Sequence, residues 1–239
     1  MHDHTQLLAD LAPHGVLRAS INLGNPVLAQ GTAAAPAGVT VDIAREVAAR
    51  LGVPAEFACF DAARKSFEAM TKGQADICFL AIEPAREAEV AFTAPYVLIE
   101  GVYAVPRDSP LTMAAEADHP GVRIGVKEGS AYDLFLSRSL KHATVVRGAE
   151  GTTVFRDMGL EVAAGVREPV TEFVGGDPGL RLLDGRFMEI RQAVGTQKTK
   201  RPETVRFLSD LIEELKESGF VAESLRHSGQ TAAVAPAAH

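Results

Sequence analysis

Between Lys72 and Tyr96 the chain carries the pattern that most narrows its fold. A glycine turn at Gly73 leads into residues 77–82, an uninterrupted apolar run that reads as a buried strand. A tight loop follows and delivers one arginine, Arg86. A second apolar piece, Val90-Ala91-Phe92, then leads to Pro95-Tyr96. An arginine just past the carboxyl end of a parallel strand is placed to grip an anionic group, because its planar fork of donors matches a carboxylate bidentately. The same residue could instead be a solvated charge paired with Glu83 or Glu89, and such surface pairs are common and weak.

Strand and helix patterns alternate around this stretch, which argues for α/β layers with a mostly parallel sheet. Residues 17–23 read as the first strand, and 24–38 as a loop rich in Gly, Ala and Pro. Ile43, Val47 and Leu51, with Ala44 and Ala48, form one apolar helical stripe, which Gly52 and Pro54 end. Residues 56–60 read as a strand and 63–72 as a helix. Residues 96–105 are a long apolar stretch closed by a proline-flanked segment at 106–110, the first candidate crossover between domains. A second α/β set follows, with strands at 122–126, 144–146 and 162–164 and helices at 131–139, 153–160 and 169–174. Residues 187–194 read as the return crossover. Pro202 and Glu203 open the last long helix, whose buried face is Val205, Leu208, Leu211, Ile212 and Leu215. The expected division is therefore 1–105 with 193–227 as a discontinuous first lobe and 106–192 as the second. The tail, 228–239, is small, polar and alanine-rich and is expected to be disordered.

A net charge of −7 argues against nucleic acid as the main partner. No run reaches the roughly 18 apolar residues of a membrane-spanning helix. The amino terminus lacks the basic and apolar regions of a secretory signal. It therefore leaves a cytoplasmic protein, or one whose signal is removed, as the two options. Cys59 and Cys78 sit in strand-like runs as small hydrophobes and could pair only if their strands are neighbours. The histidines are scattered, with His2 and His4 read as a chain end, so neither a metal nor a cofactor is expected.

Three motifs carry a resemblance. The first is Gly38-Val39-Thr40-Val41-Asp42-Ile43-Ala44 with Leu51-Gly52. The second runs Gly73-x-x-Asp76, Pro84-Ala85-Arg86, then Phe92-Thr93-x-Pro95-Tyr96. The third is Ile124-Gly125-Val126-x-x-Gly129-Ser130-Ala131. In this order they resemble the type II periplasmic substrate-binding proteins, specifically the polar amino-acid branch of ABC transporters (solute-binding protein family 3). The resemblance covers about residues 17–226. It implies a two-lobed α/β fold of the Venus-flytrap kind, with two crossover hinge strands and ligand in the cleft.

The resemblance also implies a ligand set of Arg86, Ser130, Gly129, Ala131, Asn22, Asn25, Phe60, Ala81, Glu83 and Arg167. Arg86 matches the arginine that holds the ligand carboxylate. Ser130 reads both as a helix cap with Asp133 and, with Gly129 and Ala131, as a source of donors for an anion. Asn22 and Asn25 suit a turn as well as a pocket. Asp61 reads as a cap for the helix after it rather than as a ligand contact. The chain also departs from the family pattern. Glu83 stands where the family has a threonine. The family's aromatic slots hold Asn25 and Ala62, with Phe60 close by. The second acid of D-A-x-x-x-D is missing from Glu161-Val162-Ala163-Ala164-Gly165-Val166, and Arg167 follows. Arg86 plus Arg167 would suit a ligand with a second acidic or polar group. Glu83 could replace the lost acid or simply neutralise Arg86.

The function implied is a non-catalytic, monomeric receptor that closes around a small carboxylate-bearing ligand, amino-acid-like or another organic acid. It would hand the ligand to an ABC transporter permease, and its compartment would be the periplasm. The alternative is an enzyme on the same scaffold, such as a cyclohexadienyl or arogenate dehydratase, with Glu83 as general acid. A sensory module would need a fused output domain.

Overall fold

The computed structural model describes residues 3–238, so His2 lies outside the described residues, while His4 opens a helix. The chain forms two compact units, one of Met1–Leu98 with Arg191–His239 and one of Ile99–Ile190. Both passages between them fall inside long strands. The sequence places the divisions at 105/106 and 192/193, where proline and composition change. The two apolar pieces read separately at 90–92 and 96–105 are one strand, Val90–Pro106.

The first unit opens with α1 (His4–Leu11), which the polar sequence hides. Asp10 fixes it by accepting from the Arg201 amide and from Thr204 Oγ1 (2.6 Å) at the start of the last long helix. Then come β1 (Leu17–Asn22), the hairpin β2 (Gln30–Thr32) and β3 (Ala35–Ala37) inside the expected loop, and α2 (Val39–Leu51). Helix α2 buries Val39, Val41, Ile43, Ala44, Val47 and Leu51. It stops at Gly52, whose left-handed backbone (φ 68°) lets its amide reach the last carbonyls. Next are β4 (Ala55–Phe60), α3 (Ala63–Thr71), β5 (Ile77–Ala81), the short α4 (Pro84–Glu87) and β6 (Val90–Pro106). Strand β1 lies between β4 and β5, parallel to both. The chain therefore steps outward from β1 to β4, then back across β1 to β5. Right-handed crossovers in opposite directions put α2 and α3 on opposite faces. The buried bond between Ser20 of β1 and Ser66 of α3 marks the α3 face.

The second unit holds β7 (Arg123–Lys127), α5 (Ala131–Ser139), β8 (Thr144–Gly148), α6 (Gly151–Met158), β9 (Val162–Val166), α7 (Arg167–Gly175) and β10 (Leu180–Leu182). Strand β7 runs parallel to β8 and β9, and β9 pairs antiparallel with residues 101–104 of β6. Phe155, Leu160, Ala163 and Val170 form its core with Val102 and Ala104. The chain returns through β11 (Met188–Gln197), antiparallel to β5, into α8 (Pro202–Glu217), α9 (Phe220–His227) and β12 (Ala233–Val234). The tail expectation is thus corrected. Residues 233 and 234 pair with Leu98 and Val97, and Ala235 is buried, because β6 offers an open edge there. Cys59 and Cys78 are both free; β1 separates their strands.

Each unit fastens its central strand with the same device. Asp76, one residue before β5, accepts from the Arg18 amide (2.8 Å), Nε (3.1 Å) and Nη2 (2.8 Å). Glu161, one residue before β9, accepts from the Arg123 amide (2.8 Å), Nε (2.9 Å) and Nη2 (2.8 Å). The acids of Gly73-x-x-Asp76 and of the Glu161 segment therefore serve the sheet.

Candidate functional site

In the first unit the carboxyl ends of β4, β1 and β5 lie side by side, the usual address for a ligand on an open α/β sheet. At the end of β1, Asn22 Oδ1 accepts from the Gly24 amide (2.9 Å), and Asn25 Oδ1 accepts from Val27 (3.2 Å). Both side-chain oxygens shape the loop, as asparagine does in tight turns. A Cβ on Gly24 would stand 2.2 Å from the Asp61 carbonyl oxygen, so this loop rests directly on the loop after β4. There Phe60 lines an open hollow of 380 Å³ with Leu23, Cys59, Asp61 and Lys65. Asp61 does not cap α3 as expected. Ala62 occupies the cap position, and Asp61 pairs with Lys65 at 2.7 Å.

The end of β5 brings Ala81, Glu83 and Arg86 together. Pro84 at the first helical position turns the chain sharply into α4. Arg86 folds back and donates Nη1 to the Ala81 carbonyl (3.1 Å). Arg86 and Glu83 are each only 2% exposed, which removes the reading of Arg86 as a solvated surface charge. Burial lowers the Arg86 pKa to about 10, with Glu83 and then Cys78 opposing the drop. The guanidinium thus stays charged at neutral pH. Cys78, fully buried within β5, is pushed up to about 12 by burial and stays a thiol. This corner is a buried cation with an acid beside it, which can hold an anion strongly because little water competes.

In the second unit Ser130 caps α5, accepting from the Asp133 amide (3.1 Å). Asp133 accepts from the Gly129 amide (2.8 Å) and pairs with Arg147 (3.0 Å). The capping reading of this turn therefore holds, and the Gly129 amide points to Asp133. Ala131, buried, begins the helix, where first-turn amides lack partners within the helix. Arg167 starts α7 just past β9. Its Nε lies on the Glu100 carboxylate and its Nη2 on Gly185 O (3.3 Å), while Arg186 holds the other Glu100 oxygen at 2.9 Å. The expectation of Arg167 as a ligand cation meets an ion network internal to this unit. Arg186 first, then Arg167, lowers the Glu100 pKa. Sequence reasoning passed over Glu100, although it is the sole charge in the apolar stretch 96–105. Among the described residues, no cluster of His, Cys, Asp and Glu is suited to a metal, and no helix is long and apolar enough to cross a membrane.

Residues 22–228 match the model of the bacterial extracellular solute-binding proteins, family 3. No curated protein matches the chain in sequence. Several solved structures share its fold. The solute receptor for L-cysteine of Neisseria gonorrhoeae is 20% identical, covering 92% of both chains with a TM-score of 0.76. A mutant of ArgBP from T. maritima is also 20% identical, covering 93% of this chain and 99% of its own, with a TM-score of 0.75. The ancestral amino acid-binding protein AncCDT-1, a precursor of cyclohexadienyl dehydratase, is 18% identical over 92% of this chain and 98% of its own, with a TM-score of 0.73. At these identities the likeness shows the two-unit α/β fold, and the family follows from the match over residues 22–228. The chain belongs to the bacterial extracellular solute-binding proteins, family 3.

Proposed function

We propose that the protein is a non-catalytic receptor for a small carboxylate-bearing solute, serving an ABC-type transport system outside the cytoplasmic membrane. The observation that carries this reading is Arg86, a buried cation at the carboxyl end of β5, anchored by Ala81 O. A carboxylate bound there gains a charge-assisted, bidentate contact. Glu83 is buried beside it, and Arg167 is committed to Glu100. Together they favour a ligand with one carboxylate and a cationic or N–H group for Glu83, over a ligand with two acidic groups. Within the first unit Asn22 ends β1 and Phe60 ends β4, with Asn25 in the loop after β1, so all three belong to the edge of the sheet at which β5 delivers Arg86.

Calorimetry and thermal shift across amino acids, dicarboxylates and keto acids test this reading, because a ligand of the folded form raises its melting temperature. Arg86→Met should weaken the best ligand by roughly 150-fold, the equivalent of about 3 kcal/mol for a buried charge pair broken on one side. No binder in the panel, or one indifferent to Arg86→Met, would refute it. The buried Glu83 also favours a second reading, an acid-assisted dehydration on the same scaffold. Turnover of prephenate or arogenate that is lost in Glu83→Gln would establish that reading instead.

A further inference from the structure

The second unit holds one carboxylate between two guanidinium groups. On β6, Gly101 pairs with Val166 of β9, so Glu100 stands opposite Arg167, just past the carboxyl end of β9. One Glu100 oxygen accepts from Arg167 Nε and the other from Arg186 Nη1 (2.9 Å). Two cations meeting one acid, each on its own oxygen, are a donor set that recognises a free carboxylate equally well. The three side chains are between 35% and 49% exposed, so solvent reaches the position that the Glu100 carboxylate fills.

Both arginines are held by more than Glu100. Arg167 begins α7 and donates Nη2 to Gly185 O (3.3 Å), and Arg186 Nη2 stands 3.4 Å from a Glu189 oxygen. Arg186 sits on a turn fixed by backbone bonds from Leu183 N to Tyr103 O (2.9 Å), Asp184 N to Thr112 O (3.0 Å) and Phe187 N to Gly101 O (3.0 Å). The Phe187 ring stacks on Tyr103 with centroids 4.3 Å apart, and a Cβ on Gly101 would come within 2.8 Å of it. Removing the Glu100 side chain therefore leaves two positioned guanidinium groups, with Glu189 still on Arg186. A preorganised pair of this kind keeps its affinity for an anion, because little ordering is left to do on binding.

We propose that Arg167 and Arg186 form an anion site for a small carboxylate, that its occupant is the chain's own Glu100, and that Glu100 is thereby a specificity-determining residue of the second unit. A tethered acid competes at high effective concentration. A solute that brings a second acidic group to the end of β9 therefore meets a filled site and is refused. The choice of solute rests on the receptor reading above; the anion site itself does not.

The test compares the full chain with Glu100→Ala, using sodium acetate as the probe against sodium chloride at equal ionic strength. Nitrogen-15 NMR of the arginine Nε–H groups follows Arg167 and Arg186 separately. In Glu100→Ala, acetate should shift both in one saturable titration, about tenfold tighter than when Arg186→Gln is added. The unchanged protein should show no such response, and a purely structural Glu100 predicts no gain of binding in the variant. Glu100→Ser decides in the same way if the alanine variant does not fold. By calorimetry, L-glutamate should bind Glu100→Ala about tenfold more tightly than it binds the unchanged protein, while L-glutamine changes little. The acetate response should persist when Arg86→Met is added, so failure of the receptor reading leaves it standing. An acetate response that is absent, confined to one arginine or equal in the unchanged protein would overturn the anion site. An unchanged L-glutamate affinity would overturn the specificity role of Glu100.

Discussion

Asp76→Ala tests whether the strand-fastening acid of the first unit supports the fold as strongly as its burial implies. Asp76 is 2% exposed and receives three donors from Arg18, one of them the backbone amide. Deleting it leaves that amide without an acceptor, at a cost of about 1–3 kcal/mol, and strands a guanidinium. Breaking a fully buried pair costs roughly 3–5 kcal/mol. The Arg18 side chain is 25% exposed and can recover part of its hydration, which moves the expectation to the low end, about 3 kcal/mol. With a urea dependence of about 2 kcal/mol per molar, the unfolding midpoint of the first unit should fall by roughly 1.5 M.

Glu161→Ala supplies the internal control. It removes the same three bonds at nearly the same distances, but Arg123 and Glu161 are 42% and 39% exposed. Both ends can return to water, so the loss should be markedly smaller and confined to the second unit. The sequence contains no tryptophan, so the two units are best followed separately by hydrogen exchange along a urea series. If Glu161→Ala costs as much as Asp76→Ala, or if Asp76→Ala barely moves the first unit, burial is not what sets the strength of this device.

Two further outcomes follow from local geometry. Gly24→Ala drives a Cβ to within 2.2 Å of Asp61 O, so the loops after β1 and β4 must separate. A loss of about 1–3 kcal/mol is expected in urea unfolding, and an unchanged midpoint would contradict the close contact. Asp118 accepts from the amides of Ala143, Lys141 and His142, which lowers its pKa from 3.8 to about 2. Its support for the second unit is therefore full above its ordinary value and is lost as pH falls through about 2. Carbon-13 NMR of the carboxyl should titrate near that lower value, and a midpoint at 3.8 would show the three bonds absent in solution.

The parts legible in the sequence are those with short-range signals. The stripe of Ile43, Val47 and Leu51, the apolar run through Phe79, and the Pro202 start of α8 each declare their element within one or two turns. Order at the chain end was not legible, because Ala233 and Val234 have no amphipathic pattern of their own. Their order comes from an open edge of β6, more than 130 residues away in sequence. The roles of the charged residues were the least legible. Arg86 and Arg167 each follow a strand, but their surroundings separate them. Arg86 is enclosed beside Glu83 with one guanidinium nitrogen on Ala81 O, whereas Arg167 is 37% exposed and spends its guanidinium on Glu100. Glu100 and Glu83 set the charge surroundings of the two arginines, and neither belongs to a motif shared by the three matching segments. On the proposed reading, ligand choice rests on the acids beside the arginines: replacing Glu100 would release Arg167 from its ion network, and replacing Glu83 would remove the counter-charge beside Arg86.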